Sequence, residues 1–245
     1  MKKRYKRLTY IFPNAIEVHE YLDGRYGARG EPREKKRKLT PEQIKKRNQW
    51  SRERKARHKL RQWYKRDDYL VTLTYRKSER PENMKEATKQ LAGYLRKVRA
   101  KYKKAGHELR YIRNIEVGTR GAWHIHLIVN RIADADLILR EWPYGGIDFR
   151  LLYERGEFAE LAAYITKTPE TDPRLKESAY RTSQNLPVPE PREKRLTKWK
   201  KHVEPKEGYY IDRDSFYEGI NPATGYKYRY CLLYTSPSPR DRTRS

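Results

Sequence analysis

A chain of 245 residues with 58 Lys and Arg against 32 Asp and Glu carries a formal charge of +26, a balance that points to a polyanionic partner rather than to any one fold. No apolar run approaches the roughly 20 residues needed to cross a bilayer. The basic N-terminus lacks the apolar segment of a signal peptide, because Tyr10-Ile-Phe is cut by Pro13. Nucleic acid is therefore favoured over a membrane, and the single cysteine, which excludes a disulfide framework, fits a reducing cytoplasm.

Residues 1–66 read as an N-terminal extension. The first 30 residues lack periodicity and end in a Gly-rich turn at Gly24, Gly27 and Gly30. From Arg33 to Arg66, sixteen Lys and Arg stand against three Glu. Thr40-Pro-Glu-Gln opens a helix there, with Thr40 as N-cap, Pro41 at the first helical position and Gln43 closing a capping box. Its apolar positions are sparse (Ile44, Leu60, Trp63), so the expectation is a solvated basic arm rather than a core helix. On DNA such an arm grips the backbone and adds affinity rather than sequence choice. Its candidate phosphate contacts are Lys35, Lys36, Arg37, Lys38, Lys45, Lys46, Arg47, Arg52, Arg54, Lys55 and Arg57.

The texture changes at Asp68, and residues 67–170 read as the globular domain. Asp68–Tyr75 is rich in β-branched and aromatic residues, with Val71, Leu73 and Tyr75 on one face and Thr72 and Thr74 on the other. After Pro81, Leu91, Leu95, Val98 and Tyr102 recur at helical spacing, predicting a helix over about 82–104 that Gly106 stops. Two strands follow, 109–117 and 122–130, joined by a turn from Gly118 to Gly121. A short helix over about 134–141 is capped by Asp134. A strand over 147–152 comes after Gly145-Gly146, and a last helix runs over about 157–167. The order strand, helix, strand, strand, helix, strand is the ferredoxin-like split βαβ pattern. The fold class is thus α+β, an antiparallel sheet with helices on one face and a basic helical N-terminal arm.

Alternation in the second hairpin strand puts His124 and His126 on one face and Ile125, Leu127 and Val129 on the other. The helices are expected on the isoleucine side, leaving the histidine side with Thr72 and Thr74 open. The hairpin brings Glu116 to the same spot. Two imidazoles and a carboxylate suit Mg, Mn or Zn and leave positions free for a phosphate oxygen. In the last helix, Phe158, Leu161, Ala162 and Ile165 form an apolar face, while Glu160, Tyr164 and Lys167 share the opposite one.

Residues 171–230 are a basic, Pro-rich extension with room for a hairpin around Asn221-Pro-Ala-Thr-Gly225. Residues 231–245 differ in kind. Cys231-Leu-Leu-Tyr-Thr-Ser-Pro-Ser-Pro-Arg-Asp241 looks like the translation of a transposase-type sequencing-library adapter, so that truncation after Tyr230 is expected to leave folding and activity unchanged.

Over about residues 68–170 the chain resembles the HUH endonucleases, and among them the single-tyrosine rolling-circle replication initiators (Rep proteins) of small plasmids and phages. Leu70-Val-Thr-Leu-Thr-Tyr75 looks like the family's first, structural motif. His124-Ile-His126 matches the His-hydrophobic-His motif, Glu116 sits where many members carry the third metal ligand, and Tyr164-Ile-Thr-Lys167 matches the Tyr-x-x-Lys motif. The resemblance implies a metal-dependent single-strand DNA endonuclease and ligase. Its nucleophile would be Tyr164, with Lys167 adding positive charge and Mg or Mn held by Glu116, His124 and His126. It further implies a single-stranded or hairpin-extruded DNA origin as substrate and a host helicase and polymerase as partners. No Gly-x-x-x-x-Gly-Lys-Ser/Thr motif is present, so the helicase fused to some members is absent. An HUH transposase or relaxase keeps the chemistry in a different biological setting. A non-catalytic nucleic-acid-binding module on the same sheet is the reading without chemistry, and it predicts aromatic residues at the centre of the open face.

Overall fold

The computed structural model describes residues 5–22, 38–118, 121–152, 158–167, 180–200, 203–221 and 224–235. The chain divides into two compact units, residues 48–188 and residues 1–47 together with 189–245. No helix among the described residues is long and apolar enough to cross a membrane.

In the unit of residues 48–188, the elements follow the expected order: β3 (Tyr69–Thr74), α2 (Met84–Lys104), β4 (Tyr111–Val117), β5 (Trp123–Val129), α3 (Ala135–Leu139), β6 (Ile147–Leu151) and α4 (Phe158–Thr166). With β7 (Arg181–Thr182) they form a five-stranded sheet in the order β6-β3-β5-β4-β7, every neighbouring pair antiparallel. This is the strand order of a split βαβ fold with one added edge strand. Helix α2 starts two residues later than expected because Asn83 caps it, its side chain accepting from the Glu86 N–H at 3.0 Å. Asp134 precedes α3 in the left-handed region and makes no side-chain cap, which corrects the capping role expected of it. Gly145 is required: a Cβ there would stand 2.1 Å from the Thr74 carbonyl oxygen.

One face of the sheet carries Val71, Leu73, Ile115, Ile125, Leu127 and Val129, all fully buried beneath α2 and α3. The face assignment made from parity therefore holds. The opposite face is covered at one end only. There Ile112 and Ile128 pack against Ala162 and Ile165 of α4 and against Ala56, Leu60 and Tyr64, which belong to helix α1 (Pro41–Trp63) and its exit. The other end of that face holds the polar residues described below.

Helix α1 begins as expected, with the Thr40 N–H donating to Gln43 Oε1 at 3.0 Å and the Gln43 N–H to Thr40 Oγ1 at 3.3 Å. Its C-terminal half corrects the expectation of a wholly solvated arm. Ala56, Leu60 and Tyr64 recur every four residues, and this narrow stripe suffices to bury one side of the helix.

The unit of residues 1–47 and 189–245 is built on a six-stranded antiparallel sheet of β1 (Tyr5–Ile11), β2 (Ala15–Leu22), β8 (Arg192–Leu196), β9 (Tyr209–Ile211), β10 (Tyr217–Asn221) and β11 (Tyr226–Thr235). Strand order is β10-β11-β2-β1-β8, with β9 pairing β11. The two chain extensions are thus one body. Asn221 and Tyr226 pair across the expected hairpin. Polar groups hold the sheet interior: Glu20 accepts from Arg7 Nε at 2.5 Å and from Arg229 Nε at 2.9 Å, and His19 lies 2.9 Å from both Glu17 and the Tyr228 hydroxyl.

Candidate active site

The open end of the sheet's second face is assembled from three strands by register alone. His126 of β5 stands between Thr72 of β3 and Asn114 of β4, and His124 between Thr74 and Glu116. Directly opposed residues of an antiparallel ladder share a face, so these six polar side chains converge. Strand β6 adds Asp148 opposite Thr72 and Arg150 opposite Leu70. None of the strand residues on this part of the face is aromatic.

His126 is the hub. Its Nε2 lies 2.8 Å from Glu116 Oε1, and since an ionised carboxylate only accepts, that nitrogen carries the proton of a neutral imidazole. Thr72 Oγ1 is 3.3 Å from Nδ1, the remaining acceptor. The Tyr164 hydroxyl reaches the same ring from α4, 3.0 Å from Nε2 and 3.2 Å from Nδ1, with the two rings edge to face at 5.1 Å. His124 lies parallel to His126, their planes 9° apart and their centroids 6.4 Å apart. It shares the face with Glu116 and His126, which touch each other.

Electrostatics follow from that placement. The hydrogen bond from His126 outweighs partial burial and, with His124 and Lys167 nearby, holds the Glu116 carboxyl below the usual carboxylate range. Burial lowers the His124 pKa, which keeps its ring neutral and its nitrogen free to bind a metal. Burial first, and the Glu116 charge second, push the Tyr164 phenol up to about 12. Tyr164 is nonetheless 42% exposed, whereas Ala162 and Ile165 on the other side of α4 are buried. The helix therefore packs with one side and presents its tyrosine with the other.

Two polar clamps fix the end of α4 that carries Tyr164. The Asn114 side-chain N–H donates to the Lys167 carbonyl at 3.2 Å, and Gln49 of α1 approaches Thr166 Oγ1 at 3.3 Å. Asn114 is buried. Sequence reasoning did not single it out, although it shares the parity of Glu116 two residues later in the same strand. Lys167 is exposed just beyond the helix, and its electrostatic influence reaches Glu116.

The rival tyrosines lie elsewhere. Tyr75 is buried on the α2 face, edge-on to Trp142 at 5.2 Å, and Tyr180 packs against the cluster under α4, while Tyr153 falls outside the described residues. Of the arm's candidate phosphate contacts, Lys38, Lys45, Lys46, Arg47, Arg52 and Lys55 are exposed. Arg54 lies 4.9 Å over the Trp50 ring and Arg57 is half-buried; Lys35, Lys36 and Arg37 fall outside the described residues.

A family model of replication-associated proteins, the ORF2 group, matches residues 68–169. The match runs from the start of β3 to just past α4, so it includes all five of the residues Glu116, His124, His126, Tyr164 and Lys167. No curated protein and no solved structure gives a significant match to the chain.

Proposed function

We propose that residues 67–170 form an HUH-type endonuclease that nicks a single-stranded or hairpin-extruded DNA origin and starts rolling-circle replication. The observation that carries this reading is the contact chain from Tyr164 through His126 to Glu116. Three sequence motifs from separate elements meet there, within the segment that resembles replication-associated proteins. The reading of the same sheet as a non-catalytic binding module loses support, because histidines and a carboxylate occupy the place where stacking aromatics were required.

The donor set fits a divalent cation. Two ligand atoms bound at right angles, each ~2.1 Å from an ion, stand roughly 3.0 Å apart. Glu116 Oε1 and His126 Nε2 are 2.8 Å apart. Glu116, His126 and His124 would hold the metal, which when bound supplies Lewis-acid charge at the scissile phosphate.

The chain's own groups do the rest. Tyr164 is held neutral in the resting site. Positive charge beside Glu116 cancels one of the two causes of its raised pKa and favours loss of the phenolic proton. The phenolate oxygen attacks phosphorus in line, the new Oη–P bond forms and the P–O3′ bond breaks. The leaving O3′ takes up a proton, and the protein carries a 5′-phosphotyrosine. Lys167 adds charge beside the phosphate. The covalent bond conserves the phosphoester for rejoining, and the free 3′-hydroxyl primes synthesis by a host polymerase behind a host helicase.

The test uses end-labelled hairpin oligonucleotides with Mn²⁺. The downstream fragment is expected to stay on the protein through a denaturing gel, and the upstream fragment to run free. Tyr164→Phe removes only the attacking oxygen, so DNA binding persists and the adduct disappears. An adduct of normal yield in Tyr164→Phe, or none from the wild type on any hairpin, refutes the assignment.

A further inference from the structure

On the other side of the sheet, away from Tyr164 and His126, the unit of residues 48–188 contains a cavity of about 710 Å³ between α2, β4 and the segment of β7. Three arginines from three elements line it: Arg99 from α2, Arg113 from β4 and Arg181 from β7. No carboxylate is among the lining residues. Arg113 and Arg181 are directly opposed in the β4–β7 ladder, a like-charge cross-strand pair of the kind that destabilises a sheet.

The arrangement is costly in a second way. Arg113 is only 4% exposed, and burial together with the Arg181 charge lowers its pKa to about 10. A sheet edge that opposes two guanidinium groups, and buries one, has been assembled around an anion rather than around its own packing. The rest of the lining is not that of a bare anion hole. Leu91, Leu95 and Leu109 are buried apolar walls beside the Tyr111 ring. Asn185 donates its amide N–H to the Leu109 carbonyl at 3.2 Å, which fixes its orientation. Its Oδ1 is buried and has no hydrogen-bond partner. That acceptor calls for an N–H donor, as the anion site calls for a phosphate.

We propose that this cavity is a nucleotide-binding site, taking a phosphate on Arg99, Arg113 and Arg181 and a base bearing an exocyclic amine against Leu95, Tyr111 and Asn185. Adenine, cytosine and guanine offer such an amine and thymine does not. The nucleotide comes either free or as one unit of a DNA strand. The site is separate from the proposed nicking centre, so the two readings stand or fall independently.

Calorimetric titration of the full chain with dAMP, dCMP, dGMP, dTMP and inorganic phosphate at physiological salt tests it. The three amine-bearing nucleotides are expected to bind, and dTMP and phosphate at least several-fold more weakly. Arg99 and Arg181 are exposed, so R99A/R181A leaves the core intact and should weaken dAMP at least ten-fold. K97A/K104A removes two cations from the same helix outside the cavity and should change nothing. N185A should erase the preference for dAMP over dTMP. A single-stranded hexanucleotide distinguishes the sources: displacement by dAMP means that the site takes a unit of the strand, and independent binding means that it takes the free nucleotide. Failure of all four nucleotides and the hexamer to bind overturns the proposal. So does equal affinity for inorganic phosphate, or a loss in R99A/R181A matched by K97A/K104A.

Discussion

Glu116 and His126 hold each other at 2.8 Å, and Tyr164 leans on the same imidazole, so this one histidine sits at the centre of both the proposed metal set and the proposed nucleophile. Replacing His124 and His126 together by Ala is expected to abolish high-affinity Mn²⁺ binding in calorimetry, and undiminished binding in that variant rules the set out. A second residue-scale prediction concerns Asp68, buried where the domain begins. Its two carboxylate oxygens accept from the Lys65 N–H at 2.9 Å and the Arg131 N–H at 2.8 Å, tying the exit of α1 to the end of β5. In Asp68→Asn one of these donors faces an amide NH₂ instead of an oxygen. A loss of about 1–3 kcal/mol is expected, as for any buried donor left without an acceptor, and urea unfolding measures it. The pair Glu116 and His126 was legible in the sequence because strand parity is arithmetic. Asn114 was not, because its role is to hold a backbone carbonyl 53 residues away.

At the level of elements, what was legible depended on whether burial followed hydrophobicity. Strands β3, β4 and β5 and helix α2 bury apolar side chains at regular spacing, and they fell within about two residues of the expected limits. Strand β2 buries Glu17, His19 and Glu20, whose hydrogen bonds run to Arg7, Tyr228 and Arg229. No local pattern announces a strand whose partners lie some 200 residues on. The same strand changes the expectation for the C-terminus. Residues 231–235, which look like the start of an adapter translation, continue β11 along β2 from Cys231↔Val18 to Tyr234↔Ala15, and they bury Cys231, Leu232 and Leu233. Whatever their origin, Cys-Leu-Leu-Tyr-Thr alternates and β-branches well enough to pair. Truncation after Tyr230 removes two buried leucines at roughly 1.5–3 kcal/mol each. A loss of about 3–6 kcal/mol is therefore expected in the unit of residues 1–47 and 189–245, read as a drop in its unfolding midpoint. An unchanged midpoint returns the tail to the status of an inert appendage. Adduct formation by Tyr164 in the other unit is the control.

For the whole molecule, the charge of +26 is the quantity to be explained, and α1 shows why it divides into two roles. Deleting residues 33–66 does not test the arm's contribution to DNA affinity, because Ala56, Leu60 and Tyr64 leave with it and the sheet loses the apolar cover at one end of its second face. The charge is instead removed in place. Lys45, Lys46, Arg47, Arg52 and Lys55 are exposed, and substituting all five by Gln keeps the helix, whose propensity for Gln is close to that for Lys and Arg. If each touches a phosphate, the slope of log affinity against log salt on single-stranded DNA becomes shallower by about 0.7 per residue, or roughly 3.5 in all. Backbone contacts carry no sequence information, so the ratio of affinities for a hairpin origin and a scrambled oligonucleotide is expected to stay constant while both weaken. Filter binding across a salt series reads both quantities at once. A slope that does not move places the DNA on other cations of this strongly basic chain. A ratio that collapses means that α1 reads bases, and the sequence choice then belongs to the arm as well as to the sheet.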